Sequence, residues 1–187
     1  MILLIDTSAR TAVIGTLNGD RSEIQLAARR GELHTALRAI ARDIEVTRVA
    51  VVTGPGSFTG LRVGVAFALG LAMGRGVPIV PLPTLDLQAA RADEPVTAVA
   101  EAGRGRFYFR KPDGASGVGQ PSDIPTSHPL VGCLSDPEPL VAAGHRLVPE
   151  NELRRLVDAA ALLLETASEV PYRSLEIQYM NSFSAKG

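Results

Sequence analysis

Two stretches that read as strands are apolar over four residues without a break, Ile2–Ile5 and the Val49–Val52 heart of Arg48–Thr53. Strand side chains alternate between two faces, so a strand with no polar alternation is buried on both. Such strands lie in the interior of a sheet, and other elements must cover the sheet on its two sides. This requirement limits the fold more than any other feature, because it excludes an antiparallel sheet with one wet face.

The segments around these runs supply the cover. Ala12–Leu17 reads as a second strand, Asn18-Gly19-Asp20 as a hairpin turn and Ser22–Ala28 as a third strand. Over Glu32–Ile44 the period changes, and Leu33, Leu37, Ile40, Ala41 and Ile44 share one helical face. After Arg48–Thr53 comes a glycine-rich loop, Gly54 to Gly60, which opens a helix over Leu61–Gly74. Val77–Pro81 reads as a strand, and Thr84 as the N-cap of a helix over Leu85–Ala92. The order β-β-β-α-β-α-β-α predicts an α/β fold, a mixed sheet flanked by helices.

A boundary is expected near Arg91–Pro95. It separates an N-terminal domain, 1–92, from a smaller C-terminal subdomain, 93–187. In the second part Val96–Ala100 and Arg106–Arg110 read as strands. Lys111–Pro139 reads as loops with short strands, and Glu150–Ser168 as one long helix.

Charge narrows the function. Residues 1–91 carry ten arginines against seven acids, a net +3, and residues 92–187 carry nine basic and thirteen acidic side chains, a net −4. Neither part has the dense basic patch of an independent nucleic-acid binder. The single cysteine, Cys133, reads as a small apolar filler. The opening residues lack the basic region of a signal peptide, and the longest apolar run, Val63–Met73, is too short to span a bilayer. A cytoplasmic protein is expected.

The loop Gly54-Pro55-Gly56-Ser57-Phe58-Thr59-Gly60 follows a strand and starts a helix. Ser57, Thr59 and the free amides of the helix start form a potential anion cradle, with a purely structural turn as the equal alternative. The lysine of a Walker loop is absent, and the glycine spacing does not match a dinucleotide fingerprint. Catalytic constellations are equally poor. The three histidines, His34, His128 and His145, are scattered, and no nucleophile elbow surrounds Ser57. Glu23, Glu32, Glu101 and Asp113 would have to be assembled by folding.

Gly-Pro-Gly-Ser-Phe-Thr-Gly-Leu-Arg-Val-Gly, from Gly54 to Gly64, resembles the hallmark of the TsaB (YeaZ-like) family. Ile5-Asp6-Thr7-Ser8 and Leu33-His34 resemble the same family. Ala100 to Tyr108 is similar to its Asp-Ala-Arg-x-Gly-Glu-Val-Tyr segment, with Glu101, Gly103 and Arg106 as departures. The resemblance is strong over 1–92, weaker over 96–110 and thin beyond.

The resemblance implies an actin-like ATPase fold, of the kind shared with sugar kinases and heat-shock chaperones, with a reduced second subdomain. It implies a non-catalytic scaffold that binds and activates TsaD for threonylcarbamoylation of the adenosine next to the tRNA anticodon. TsaE joins the pair, TsaC supplies the activated group, tRNA is contacted only indirectly, and the chain forms a homodimer when alone.

No metal or cofactor is implied. Weak ATP or ADP binding at a vestigial site formed by Asp6, Thr7, Ser8, Gly54, Gly56 and Ser57 is the alternative. The partner face is expected on Leu33, His34, Leu37 and Ile40 of the first helix and Leu61, Gly64, Val65 and Ala68 of the next. There Gly60/Gly64 and Gly70/Gly74 remove bulk, so that Gly64→Leu should break docking without unfolding the monomer. The competing function is a phosphotransferase-like or peptidase-like enzyme that uses the glycine loop.

Overall fold

The computed structural model describes residues 1–27, 35, 36, 38, 39, 42 and 45–179. Its first sheet has five strands: β1 (Ile2–Asp6), β2 (Thr11–Asn18), β3 (Asp20–Ala27), β4 (Arg48–Gly54) and β5 (Ile79–Pro83). Their order is β3-β2-β1-β4-β5. The first three form an antiparallel meander, while β1/β4 and β4/β5 are parallel, so the sheet is mixed. The continuous apolar runs β1 and β4 lie at its centre, as their lack of alternation requires.

Leu3, Ile5, Val49 and Val51 point to one face, where Val65, Ala68 and Ala72 of α1 (Phe58–Arg75) cover them. Leu4, Ala50 and Val52 point to the other and meet Leu87 of α2 (Thr84–Ala89) and Leu156, Val157 and Ala160 of α4 (Leu156–Leu164). Gly15 lets α4 come close: a Cβ there would stand 3.0 Å from the Val157 side chain. α1 ends at Gly76, whose φ of 64° only glycine adopts cheaply and whose N–H closes the last turn onto Ala72 and Met73 carbonyls. The five described helical residues before β4 are Thr35, Ala36, Arg38, Ala39 and Arg42.

The second sheet, order β8-β7-β6-β9, comprises β6 (Thr97–Gly103), β7 (Arg106–Arg110), β8 (Ser116–Gly119) and β9 (Leu130–Val131). α3 (Glu138–Ala142) contributes Leu140 to a small core with Val99, Phe107 and Leu130. The residues after 150 return to the first sheet. α4 packs on it, and Val170 makes a bridge to the edge residue Ile79.

Three expectations are corrected. The helix expected over Glu150–Ser168 is a single 3-10 turn at Glu150–Glu152 followed by α4 over Leu156–Leu164. Between them Leu153 is extended, because the chain docks on Arg91: Arg154 N donates to Arg91 O at 2.9 Å, and Arg91 Nε to Arg154 O at 3.0 Å. Thr84 is the first helical residue rather than the cap, and its hydroxyl is buried without a partner. The glycine-loop helix begins earlier, at Phe58, where Ser57 Oγ accepts from Gly60 N at 3.2 Å.

Candidate functional site

β1 and β4 are adjacent and parallel, so their C-terminal ends bring Asp6-Thr7-Ser8 and the glycine loop to one edge of the sheet. All six residues expected to form a nucleotide site lie there, and the two lips are tied to each other. Ser57 N donates to Ser8 O at 2.7 Å, and Thr7 Oγ1 to Gly60 O at 2.8 Å. Asp6 Oδ1 accepts from Ser8 N at 2.8 Å, an Asx turn that holds the first lip in shape. Burial pushes the Asp6 carboxyl above its ordinary range, partly offset by the Ser8 hydrogen bonds and the charge of Arg91.

The glycines serve this seam. A Cβ on Gly56 would overlap Ser8 O, and one on Gly60 or Gly64 would overlap Thr7. Behind the seam the chain from Val170 to Tyr179 runs back as a strap. Gln178 N donates to Thr53 O at 2.8 Å, and Gln178 O lies where a Gly54 Cβ would stand. Tyr172 OH donates to Val77 O at 2.8 Å. Asp6, Thr7, Ser8 and Gly54 are buried, leaving Ser57 exposed. At that edge the two lips are thus hydrogen-bonded to each other, while Ser57, Phe58 and Thr59 stay exposed.

The expected partner face divides in two. Leu33, His34, Leu37 and Ile40 lie outside the described residues. Leu61, Gly64, Val65 and Ala68 are described, and all four are buried in this chain's own core. As residues presented to a partner they are corrected: the face of α1 that carries them rests on β1 and β4. The accessible face is the opposite one. Val63 and Met73 are 46% and 57% exposed, and a Cβ added at Gly70 or Gly74 would meet no described residue within 4 Å.

Between this face and the first helical segment runs a groove lined by Thr35, Arg38, Ala39, Arg42, Ala66, Phe67, Gly70 and Leu71, with a volume of about 940 Å³. At the start of α1 the exposed rings of Phe58 and Tyr179 stand 5.8 Å apart, with the Arg62 guanidinium 3.7 Å above Phe58.

The remaining candidates are dispersed. Glu23 accepts from Val157 N at 3.0 Å and so caps α4, while Glu101 accepts from Ser135 N at 2.7 Å. Asp113 holds a turn with Lys111 and Ala115. His145 Nε2 lies 2.9 Å from Pro121 O, and His128 Nδ1 lies 3.0 Å from Ser127 Oγ. Among the described residues no three His, Cys, Asp or Glu side chains gather as a metal set. Among them, too, no helix is long and apolar enough to cross a membrane.

One cluster was missed from sequence. Arg91, 2% exposed, reaches Glu150, donates from Nη1 to Gln88 Oε1 at 3.2 Å, and lies 3.7 Å from Cys133 Sγ. Gln88 Nε2 donates to that sulfur at 3.4 Å, and burial raises the thiol's pKa. Cys133 is thus a half-buried thiol that packs against the apolar core and also touches a polar cluster. Only the arrival of residues 150–154 from the far end of the chain makes sense of Arg91.

Comparison with known proteins agrees with this geometry. The family model described as TsaD, tRNA N6-adenosine threonylcarbamoyltransferase, matches residues 33–124. The TsaB protein of tRNA threonylcarbamoyladenosine biosynthesis from Haemophilus influenzae is 32% identical over 122 residues, 58% of this chain and 52% of that protein. Its counterpart from Bacillus subtilis is 30% identical over 120 residues, 57% and 52% of the two chains. The chain therefore spans about half the length of these curated relatives. YeaZ from Pseudomonas aeruginosa superimposes with a TM-score of 0.74 at 20% identity, over 95% of this chain and 99% of that one.

The fold is α/β, with mixed sheets flanked by helices, and it is the fold of the YeaZ structure. Within that class the chain is similar to the TsaB and YeaZ proteins.

Proposed function

We propose that this chain is a non-catalytic, partner-binding subunit that docks a TsaD-type sister subunit and holds it in its active arrangement for threonylcarbamoylation of tRNA. The observation that carries the reading is the outward face of α1. An 18-residue helix leaves Gly70 and Gly74 bare on its solvent side, beside an open groove. A helix interior disfavours glycine by about 1 kcal/mol relative to alanine. Bare glycines facing open space do nothing for the monomer's packing, but they let a second backbone approach closely, as in paired helices.

The sewn lips support the non-catalytic part. The Ser57 amide already donates to Ser8 O, so one loop amide fewer is left for a phosphate. In the same reading TsaE joins the assembled pair, tRNA is met only through the complex, and the site of action is the cytoplasm. A second copy of this chain occupies the face when the sister subunit is absent.

Reconstitution tests this directly. Modification of tRNA by TsaC, TsaD and TsaE should depend on this chain, and Gly70→Leu should abolish both capture of TsaD and the modification while the monomer stays folded. Full modification without the chain, or undiminished capture by Gly70→Leu, defeats the reading.

A further inference from the structure

The groove beside α1 is apolar along its floor and cationic along its wall. Ala66, Phe67, Gly70 and Leu71 come from α1, and Arg38 and Arg42 from the first helical segment. The two arginines are four positions apart, on one side of their helix, and both are exposed. Neither is in an ion pair with any described residue, and no Asp or Glu is among the described lining residues. We infer that the occupant of this groove is a helix whose apolar stripe is edged by two carboxylates one turn apart, belonging to another protein rather than to a second copy of this chain.

The inference rests on the docking reading and adds the partner's chemistry. A two-fold pairing uses the same patch on both copies. It would bring two arginines from each groove, four in all, into one interface to which neither groove contributes a described carboxylate. Like charges set together in an interface act against association, and opposite charges favour both encounter and register. Guanidinium groups also suit carboxylates geometrically, through paired N–H donors. The groove therefore discriminates: self-pairing is the weaker event, and an acidic amphipathic helix the stronger.

Titration against the TsaD-type subunit of the same organism tests this, using the full chain. The pair Arg38→Glu with Arg42→Glu should weaken binding about tenfold or more, while Arg38→Lys with Arg42→Lys should bind within about threefold of wild type. Raising salt from about 50 to about 500 mM should weaken the wild-type complex. In sedimentation equilibrium of the chain alone, Arg38→Ala with Arg42→Ala should self-associate at about tenfold lower concentration than wild type.

If the charge reversal binds as wild type does while Gly70→Leu does not bind, the face is right and the acidic partner is wrong. If Gly70→Leu binds normally, the docking reading itself fails. A wild-type dimer that the alanine pair weakens also overturns the inference, because the arginines would then be making the self-contact.

Discussion

The two faces of α1 are built from the same vocabulary and do opposite things. On the inner face Gly60 and Gly64 lie four apart, and on the outer face Gly70 and Gly74 do the same. At Gly60 and Gly64 a Cβ would overlap Thr7, so these glycines exist for the chain's own packing. At Gly70 and Gly74 a Cβ would meet none of the described residues within 4 Å. Leu61, Val65 and Ala68 follow the inner pair into the core, while Val63, Ala66 and Met73 follow the outer pair to the surface. Spacing alone shows that two residues share a helix face. It does not show what that face meets.

Substitutions separate the faces by size and by sign. Gly64→Leu drives a side chain into Thr7 and should cost about 3 kcal/mol. The variant should melt far below wild type or fail to express as a folded monomer. A folded, normally stable Gly64→Leu protein would return that position to the partner face. Gly70→Ala should do the reverse and stabilise by about 1 kcal/mol, because it removes the helix penalty of glycine without meeting any atom. Chemical denaturation reads both.

The smallest effect concerns the seam on which the inner face rests. The Asp6 carboxyl has its folded pKa raised by burial, so the folded state holds a proton more readily than the unfolded state. Asp6 therefore contributes most favourably below its ordinary pKa, and that contribution is lost as pH rises through the raised value. Against Asp6→Asn, wild type should be at its greatest relative disadvantage near neutral pH and should gain steadily as the solution is acidified. A difference in stability that is flat with pH would mean that Asp6 stays charged at no cost in the fold.

Much of the architecture was legible beforehand. The unbroken apolar runs of β1 and β4 demanded burial on both sides, and α1 and α4 supply it. The hairpin at Gly19 and the meander before it were local, because turn chemistry and alternation are properties of neighbouring residues. The helix over Glu150–Ser168 was overcalled for the complementary reason. Its periodicity was genuine, but the Arg154 backbone is claimed by two hydrogen bonds with Arg91, more than sixty residues away in the chain. No local pattern records a competitor at that distance.

The candidate site divides along the same line. The family resemblance of the sequence implied that Asp6-Thr7-Ser8 and the glycine loop would meet, and the parallel pairing of β1 and β4 brings their ends together. By itself the sequence determined the helix that follows the loop and its population of small residues. Only the tertiary structure decided that the two lips are hydrogen-bonded to each other, that the strap from Val170 to Tyr179 runs behind them, and that the inner glycines belong to the core while the outer ones meet no described residue. Those outcomes depend on which surfaces come within van der Waals reach after folding, a quantity set by every element at once and written in no single segment.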